Sequence, residues 1–178
     1  ESPERLAINV TVTNVTTPTT SSSVQSFCIQ NNPTLATVVV NGTNIKWYNS
    51  AMGGNELAIT TPLVDGATYY ATQLINNCES PVRLAVAVNV YNTLEPITTN
   101  ESQVFCVVNS PKLSHISVVG TNIKWYTSAT GGVELASNTP LVNGATYYAS
   151  QTANGCESIN RLAINVTVLE NPLVTTSN

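Results

Sequence analysis

From Leu84 onward apolar and other positions alternate: Leu84, Val86, Val88 and Val90 share one face, and Ala85, Ala87 and Asn89 the other. Successive side chains of an extended strand point to opposite faces, so this period of two predicts a strand with one buried face. Leu6, Ile8, Val10 and Val12 repeat the pattern, as do Leu162, Ile164, Val166 and Val168. Residues 44–48 predict a second strand, with Ile45 and Trp47 inward and Lys46 and Tyr48 outward, and residues 68–73 a third. Asp65-Gly66 and Asn143-Gly144 are tight-turn pairs, and Asn76-Asn77 and Asn154-Gly155 sit between strand runs as hairpin turns do. Short strands separated by such turns predict a sandwich or barrel. No stretch carries a helical period.

The strand pattern recurs because the sequence recurs. Cys28 and Cys106, Trp47 and Trp125, and Cys78 and Cys156 are all related by one offset of 78 residues, as are Gly53-Gly54 with Gly131-Gly132 and Tyr69-Tyr70 with Tyr147-Tyr148. Residues 28–90 match 106–168 at 39 of 63 positions without a gap, which requires two copies of one fold. Residues 1–12 align with 79–90 and 157–168, and so read as the final strand of a preceding repeat. The copies diverge across 13–26 and 91–104, both rich in Thr, Ser and Pro, which reads as linker or as linker plus edge strand. The expected organisation is therefore a linker at 13–24, a domain at 25–90, a second linker at 91–102, a second domain at 103–168, and the start of another linker at 169–178. A frame that assigns 1–12 to the first domain uses the same pieces. An orphan strand with an apolar face should not stay exposed, so residues 1–12 are expected to pack on a sheet edge or a neighbouring chain.

Composition narrows the class. Only 9% of the 178 residues are charged, against roughly 25% in an average globular domain. Thr, Asn, Ser and Val fill the gap, which favours strands. A net charge of −4 argues against a phosphate-backbone partner, so no nucleic acid is expected. No apolar run approaches the roughly 20 residues that span a bilayer, so no membrane insertion is expected. The absence of a starting Met and of a signal peptide reads as an internal fragment.

The cysteines speak to compartment. Cys28 and Cys78 are 50 residues apart, as are Cys106 and Cys156. One bridge per repeat, Cys28–Cys78 and Cys106–Cys156, is the simplest of the three possible pairings. Closing a loop of that length stabilises by roughly 4 kcal/mol, useful to a domain whose core alone is marginal. Disulfides persist outside the reducing cytosol, which predicts a secreted protein. A zinc site would need a close cysteine pair, and none is present.

A specific set of residues then carries a resemblance. Phe27-Cys28, Gly42 to Tyr48, Ser50-Ala51 with Gly53-Gly54, Glu56-Leu57-Ala58, Thr61 to Val64, Gly66 to Ala71, Gln73 and Cys78-Glu79-Ser80 all recur in the second copy. This pattern resembles the immunoglobulin-like repeats of very large surface adhesins of Bacteroidetes-type bacteria, gliding-motility adhesins among them. The resemblance covers nearly the whole chain. It implies an all-β fold of two tandem immunoglobulin-like β-sandwich domains with one intradomain disulfide each. It also implies type IX export, display on the outer bacterial surface, and service in a long adhesive filament. The order cysteine, strand tryptophan, cysteine agrees with such a fold. Trp47 and Trp125 are expected in the core with Tyr70 and Tyr148, Tyr70 being the candidate for a tyrosine corner. The step from Tyr70 to Cys78 is eight residues where antibody domains have two, which places Cys78 at a hairpin.

Few residues suggest catalysis, and the chain is read as not an enzyme. His115 is solitary, and its counterpart is Thr37. Asp65 lies in a turn and its counterpart is Asn143, so its charge is dispensable. Glu56 and Glu134 read as strand-edge residues paired with Lys46 and Lys124. Glu79 with Arg83, Glu157 with Arg161 and Glu1 with Arg5 read as local ion pairs, worth at most about 1 kcal/mol if exposed. The carboxylates are too scattered for calcium, and no metal or cofactor is expected. Gly53-Gly54 does not lead from a strand into a helix, so no phosphate loop is implied. The sequons at Asn9, Asn14, Asn41, Asn100 and Asn165 arise from composition in a bacterial repeat. Outward Tyr48 and Tyr126, near Tyr69 and Tyr147, are the candidate contact aromatics for sugar rings. Two functions follow: an adhesive and structural stalk, touching neighbouring repeats and extracellular polysaccharide or a solid surface, or a carbohydrate-binding module of a secreted polysaccharide-acting enzyme.

Overall fold

The computed structural model describes residues 4, 7–10 and 12–170. The chain divides into two compact units, Glu1–Val90 and Tyr91–Asn178. Strands β1 (Val24–Cys28), β2 (Ile45–Tyr48), β3 (Glu56–Leu57), β4 (Thr68–Ile75), β5 (Cys78–Glu79) and β6 (Leu84–Tyr91) build the first sheet, in the order β1-β6-β4-β2-β3 with β5 on β4. Strands β7 (Ser102–Cys106), β8 (Ile123–Tyr126), β9 (Thr146–Ala153), β10 (Cys156–Glu157) and β11 (Leu162–Leu169) repeat it, with a Trp125–Leu135 bridge where β3 would stand. β7 and β11 run parallel; β4 and β9 are antiparallel to their partners.

The alternation read from the sequence sets the core. Val86, Val88 and Val90 point inward from β6, alongside Trp47, Tyr69 and Ala71. The opposing layer is irregular: Leu35 and Val38 from a short 3-10 turn, and Leu63 beyond the Thr34–Pro62 bridge. Leu113, Ile116 and Leu141 do the same over Trp125, Ala149, Ile164 and Val166. Each unit is thus a sandwich of one regular sheet and one layer held by bridges and turns. The β4–β5 hairpin turns on Asn76 and Asn77 at φ 49° and 61°, the left-handed geometry that the two-residue hairpin loop requires.

Three expectations need correction. Residues 13–24 are not a free linker. Val15 and Pro18 are buried, Thr19 exchanges both backbone hydrogen bonds with Asn41 at 2.9 and 2.6 Å, and Thr20 Oγ1 donates to Val39 O at 2.8 Å. The equivalent stretch in the second unit makes the Ile97–Val119 bridge and buries Pro96. Thr/Pro composition is common to linkers and irregular edges, and only the partner strand tells them apart.

Secondly, Ile8, Val10 and Val12 are 76%, 80% and 88% exposed and lie in no strand, rather than on a sheet edge of this chain. Leu6 lies outside the described residues.

Thirdly, the within-repeat disulfides are not formed. Cys28 and Cys156 are disulfide-bonded, whereas Cys78 and Cys106 are free and exposed. The strand register gives the reason. In the second unit Ala149 faces Leu162, and Cys106 faces Leu169, seven residues along β11. Cys156 pairs with Ala153, four residues along β9 in the other direction. Eleven strand steps separate the two cysteines, about 36 Å, where a disulfide needs Cα atoms within about 7 Å. Both cysteines of a repeat are strand residues, but at opposite ends of one sheet.

Candidate functional site

On the outer face of each sheet the side chains most suggestive of function form one network. Tyr48 leaves β2 on the face opposite Trp47, as alternation requires, yet it is only 8% exposed. The Arg83 guanidinium lies 3.5 Å from its ring centroid and donates to Ser50 O at 2.6 Å and Gly53 O at 2.7 Å. One arginine therefore covers the ring and fixes the Gly-Gly loop, whose Gly53 and Gly54 stand at φ 61° and 71°. The Tyr48 hydroxyl donates to Glu79 Oε1 at 2.6 Å, and Thr72 Oγ1 to the same oxygen at 2.7 Å. Lys46 Nζ pairs with Glu56 Oε2 at 3.1 Å.

The second unit repeats the arrangement. Arg161 lies 3.3 Å from the Tyr126 centroid and donates to Ser128 O and Gly131 O at 2.8 and 2.7 Å. Glu157 accepts from Tyr126 at 2.9 Å, Ser150 at 2.6 Å and Lys124 at 2.8 Å. Burial alone would raise the Glu157 carboxyl, but the bonds from Lys124, Ser150 and Tyr126 outweigh it and hold its pKa at about 2. The Tyr48 and Lys124 hydrogen bonds have matching effects: Glu79 is lowered, chiefly by the Tyr48 hydroxyl and then Thr72, and Lys124 is raised, chiefly by Glu157. Burial and then the glutamate push Tyr48 and Tyr126 upward.

These contacts revise the aromatic assignment. Tyr48 and Tyr126 do not present bare rings, because an arginine lies on each. Tyr69 and Tyr147 are not beside them: Trp47 faces Ala71 and Tyr48 faces Tyr70, so Tyr69 falls on the tryptophan side. Tyr69 and Tyr147 are buried in the core, and it is Tyr70 and Tyr148 that are half-buried on the outer face. The corner residue is Tyr69. Its hydroxyl accepts from Val64 N–H at 3.1 Å and lies 3.4 Å from Pro62 O; Tyr147 repeats this with Val142 and Pro140 at 3.1 and 3.5 Å. Glu79 and Arg83 meet through Tyr48 and not as an ion pair; Glu1 and Arg5 lie outside the described residues. Lys46 pairs with Glu56 and Lys124 reaches Glu134 at 3.9 Å, as expected.

The remaining candidates are structural. His115 is exposed, and its Nδ1 accepts from Lys112 N–H at 3.3 Å within its own turn. Asp65 Oδ1 accepts from Val90 N–H at 2.7 Å and Asn143 Oδ1 from Val168 N–H at 2.9 Å. The turn needs a side-chain oxygen and not a charge, which is why Asp and Asn interchange. Among the described residues no group of three His, Cys, Asp or Glu could hold a metal ion.

Sequence reasoning missed two glutamines per repeat. Gln73 Oε1 accepts from Thr43 N–H at 3.0 Å while its Nε2 donates to Thr16 O at 2.7 Å; Gln151 does the same with Thr121 and Leu94 at 2.8 and 2.9 Å. Gln25 and Gln103 each bond both backbone groups of one residue, Val39 and Ser117. These amides replace sheet hydrogen bonds in the irregular layer. Their recurrence at the 78-residue offset was the available signal.

A sheet packed on a bridged layer around a strand tryptophan, closed by a tyrosine hydroxyl on the backbone five residues upstream, is the construction of an immunoglobulin-like domain, twice over. The chain belongs to the family described as the CHU_C-associated Ig-like domain, whose sequence model matches residues 16–91 and 95–170. Both matches begin where the Thr/Pro segments first pack. The crystal structure of the N-terminal four Ig domains of Dscam1 isoform 9.44, with zinc, is similar at 10% identity and a TM-score of 0.27. That similarity covers 88% of this chain and 47% of the other, so the chain spans about half its length. No curated protein matches the chain.

Proposed function

We propose that the two domains are structural and adhesive repeats of a long secreted filament at a bacterial cell surface, serving attachment and gliding motility. The repeats resemble those of the gliding-motility adhesin SprB, and the family's domain type agrees with display outside the cell. The observation that carries the reading is the repetition of side-chain wiring, not only of residues: Arg on Tyr, Glu under Tyr, Gln to backbone and Asp/Asn to backbone all recur at one offset. Glu157 is held by three donors and Glu79 by two, and the Ser150 and Thr72 hydroxyls beside them are themselves among those donors. Polar, weakly charged outer faces suit many weak contacts whose avidity grows with copy number. The carbohydrate-module reading depended on bare tyrosine rings, which these arginines cover.

The test is binding of the two-repeat chain to glass and to a panel of bacterial and plant polysaccharides, alone and as a tandem of several copies. The stalk reading expects weak retention that rises steeply with copy number. Tight, saturable binding of one soluble sugar to a single repeat would instead make it a carbohydrate module.

A further inference from the structure

Each unit carries an apolar cavity at one end of its sheet. In the first, of about 390 Å³, buried Pro33, Leu63 and Val90 form the floor, and Ile29 and Pro62 the walls. In the second, of about 320 Å³, every lining residue is the equivalent, 78 positions on, of a residue that lines the first. The two prolines, the leucine and the valine recur unchanged as Pro111, Pro140, Leu141 and Val168. The mouths differ. Thr34 gives way to Lys112, and exposed Asp65, at the first mouth, has Asn143 as its equivalent. The shape is common to both copies, and the charge at its opening is reversed.

The fold uses neither charge. Asp65 serves its turn through one oxygen, Oδ1, on Val90 N–H, and Asn143 does the same without a charge. Among the described residues Lys112 belongs to no ion pair, and an uncharged Thr34 fills its place in the first unit. A concave apolar floor of this size with few polar groups at its edge is the usual form of a small-molecule site. Among the described residues no aromatic ring lines either cavity, so neither offers a stacking face for a sugar or a base. Proline and aliphatic walls suit an aliphatic chain, and the charge at the mouth sets which end group that chain carries.

We propose that the two cavities are binding sites for small aliphatic molecules of opposite charge. The first takes a short alkyl ammonium, its chain on Leu63 and Val90 and its cation at Asp65. The second takes a short alkyl carboxylate, its chain on Leu141 and Val168 and its anion at Lys112. Burial of the chain supplies the attraction common to both sites, and the mouth supplies the choice. The inference stands on the cavities alone, so the filament reading and its binding assays can fail without touching it.

The test follows the NMR methyl signals of Leu63, Val90, Leu141 and Val168 in the full chain during titration with n-hexylamine, n-hexanoate and n-hexanol. Hexylamine should shift the first pair and hexanoate the second, with Kd on the order of 1–10 mM for ligands this small. Each site should prefer its own ion to the other by about threefold or more, a preference that added salt reduces. The double variant Thr34→Lys/Asp65→Asn copies the second mouth onto the first. It should reverse the preference of the first site while the urea transition of that unit stays in place. No shift of either pair at about 50 mM of any probe would overturn the proposal. Hexanol binding as tightly as both ions, or a preference that the double variant leaves unchanged, would overturn the role of the charges. A lysine-containing peptide that binds the first site at least about tenfold more tightly than hexylamine would replace the small molecule by a protein partner and overturn that assignment.

Discussion

In the first unit Lys46 pairs with Glu56 at 3.1 Å and leaves Glu79 to Tyr48 and Thr72; in the second Lys124 lies 2.8 Å from Glu157 and 3.9 Å from Glu134. The same lysine thus chooses opposite partners in two copies of one sheet. What does not vary is the arginine on the tyrosine and its two bonds to loop carbonyls, within 0.2 Å between copies. Hydrogen bonds to backbone fix the cluster, because the backbone cannot move without breaking the sheet. A lysine on a flexible stem is free to choose among carboxylates, each choice worth little when exposed. The choice still matters to the acid chemistry of the second unit, where a third donor reaches a carboxylate that is only 29% exposed.

The two tryptophans provide the strongest test of separate cores. Trp47→Ala and Trp125→Ala should each cost about 3–5 kcal/mol, confined to the unit that carries the change. Urea denaturation followed by the fluorescence of the remaining tryptophan would show an unaltered transition in the other unit. Simultaneous loss of both would break the division into two packing units.

The next largest effect is acid sensitivity. The Glu157 carboxyl stands at about 2 when folded against 4.5 as a free group, so on acidification the unfolded state takes up its proton first. Its contribution, up to about 3 kcal/mol, is therefore complete above pH 4.5 and is lost as pH falls towards 2. In a Trp47→Phe background, Trp125 reports this loss. Lys124→Met should shrink it measurably, whereas Lys46→Met, with Trp47 as reporter, should leave the acid limb of the first unit nearly as it was, since Glu79 keeps Tyr48 and Thr72. Equal responses in the two units would erase the partner difference.

The smallest effect is the most specific. Asp65→Asn should change stability by less than about 0.5 kcal/mol, because Asn143 already fills that role in the second unit. Asp65→Ala should cost about 1–3 kcal/mol through the orphaned Val90 N–H. A large cost for Asp65→Asn, read in the same urea transitions, would mean that the charge itself does something in the first unit.

Strands, hairpins and the repeat were readable because each is written locally. Val86, Val88 and Val90 declare their face by alternation, and Asn76-Asn77 can adopt positive φ with less strain than most residues. The tyrosine pair was misread by one residue. In Tyr69-Tyr70 both positions are aromatic, so alternation gives no phase, and only the pairing of Trp47 with Ala71 places Tyr69 inside. The roles of Gln25 and Gln73 went unread because an amide that mimics a backbone group follows no alternation, and only the 78-residue recurrence marked them. Tyr48 was correctly given the outer face but not its cover, since Arg83 reaches it from 35 positions away in sequence.

By itself the sequence determined that the protein is all-β, that it is built twice, and which residues of its long strands face the core. These follow from short-range geometry, in which a period of two and a two-residue turn leave few alternatives. The tertiary structure alone decided the disulfide state, the identity of the corner tyrosine and the closure of the outer face. Each of these depends on how far apart strand register sets two residues that the chain order makes look like partners. A constant spacing of 50 residues says that two cysteines belong to one repeat; it does not say that they can meet.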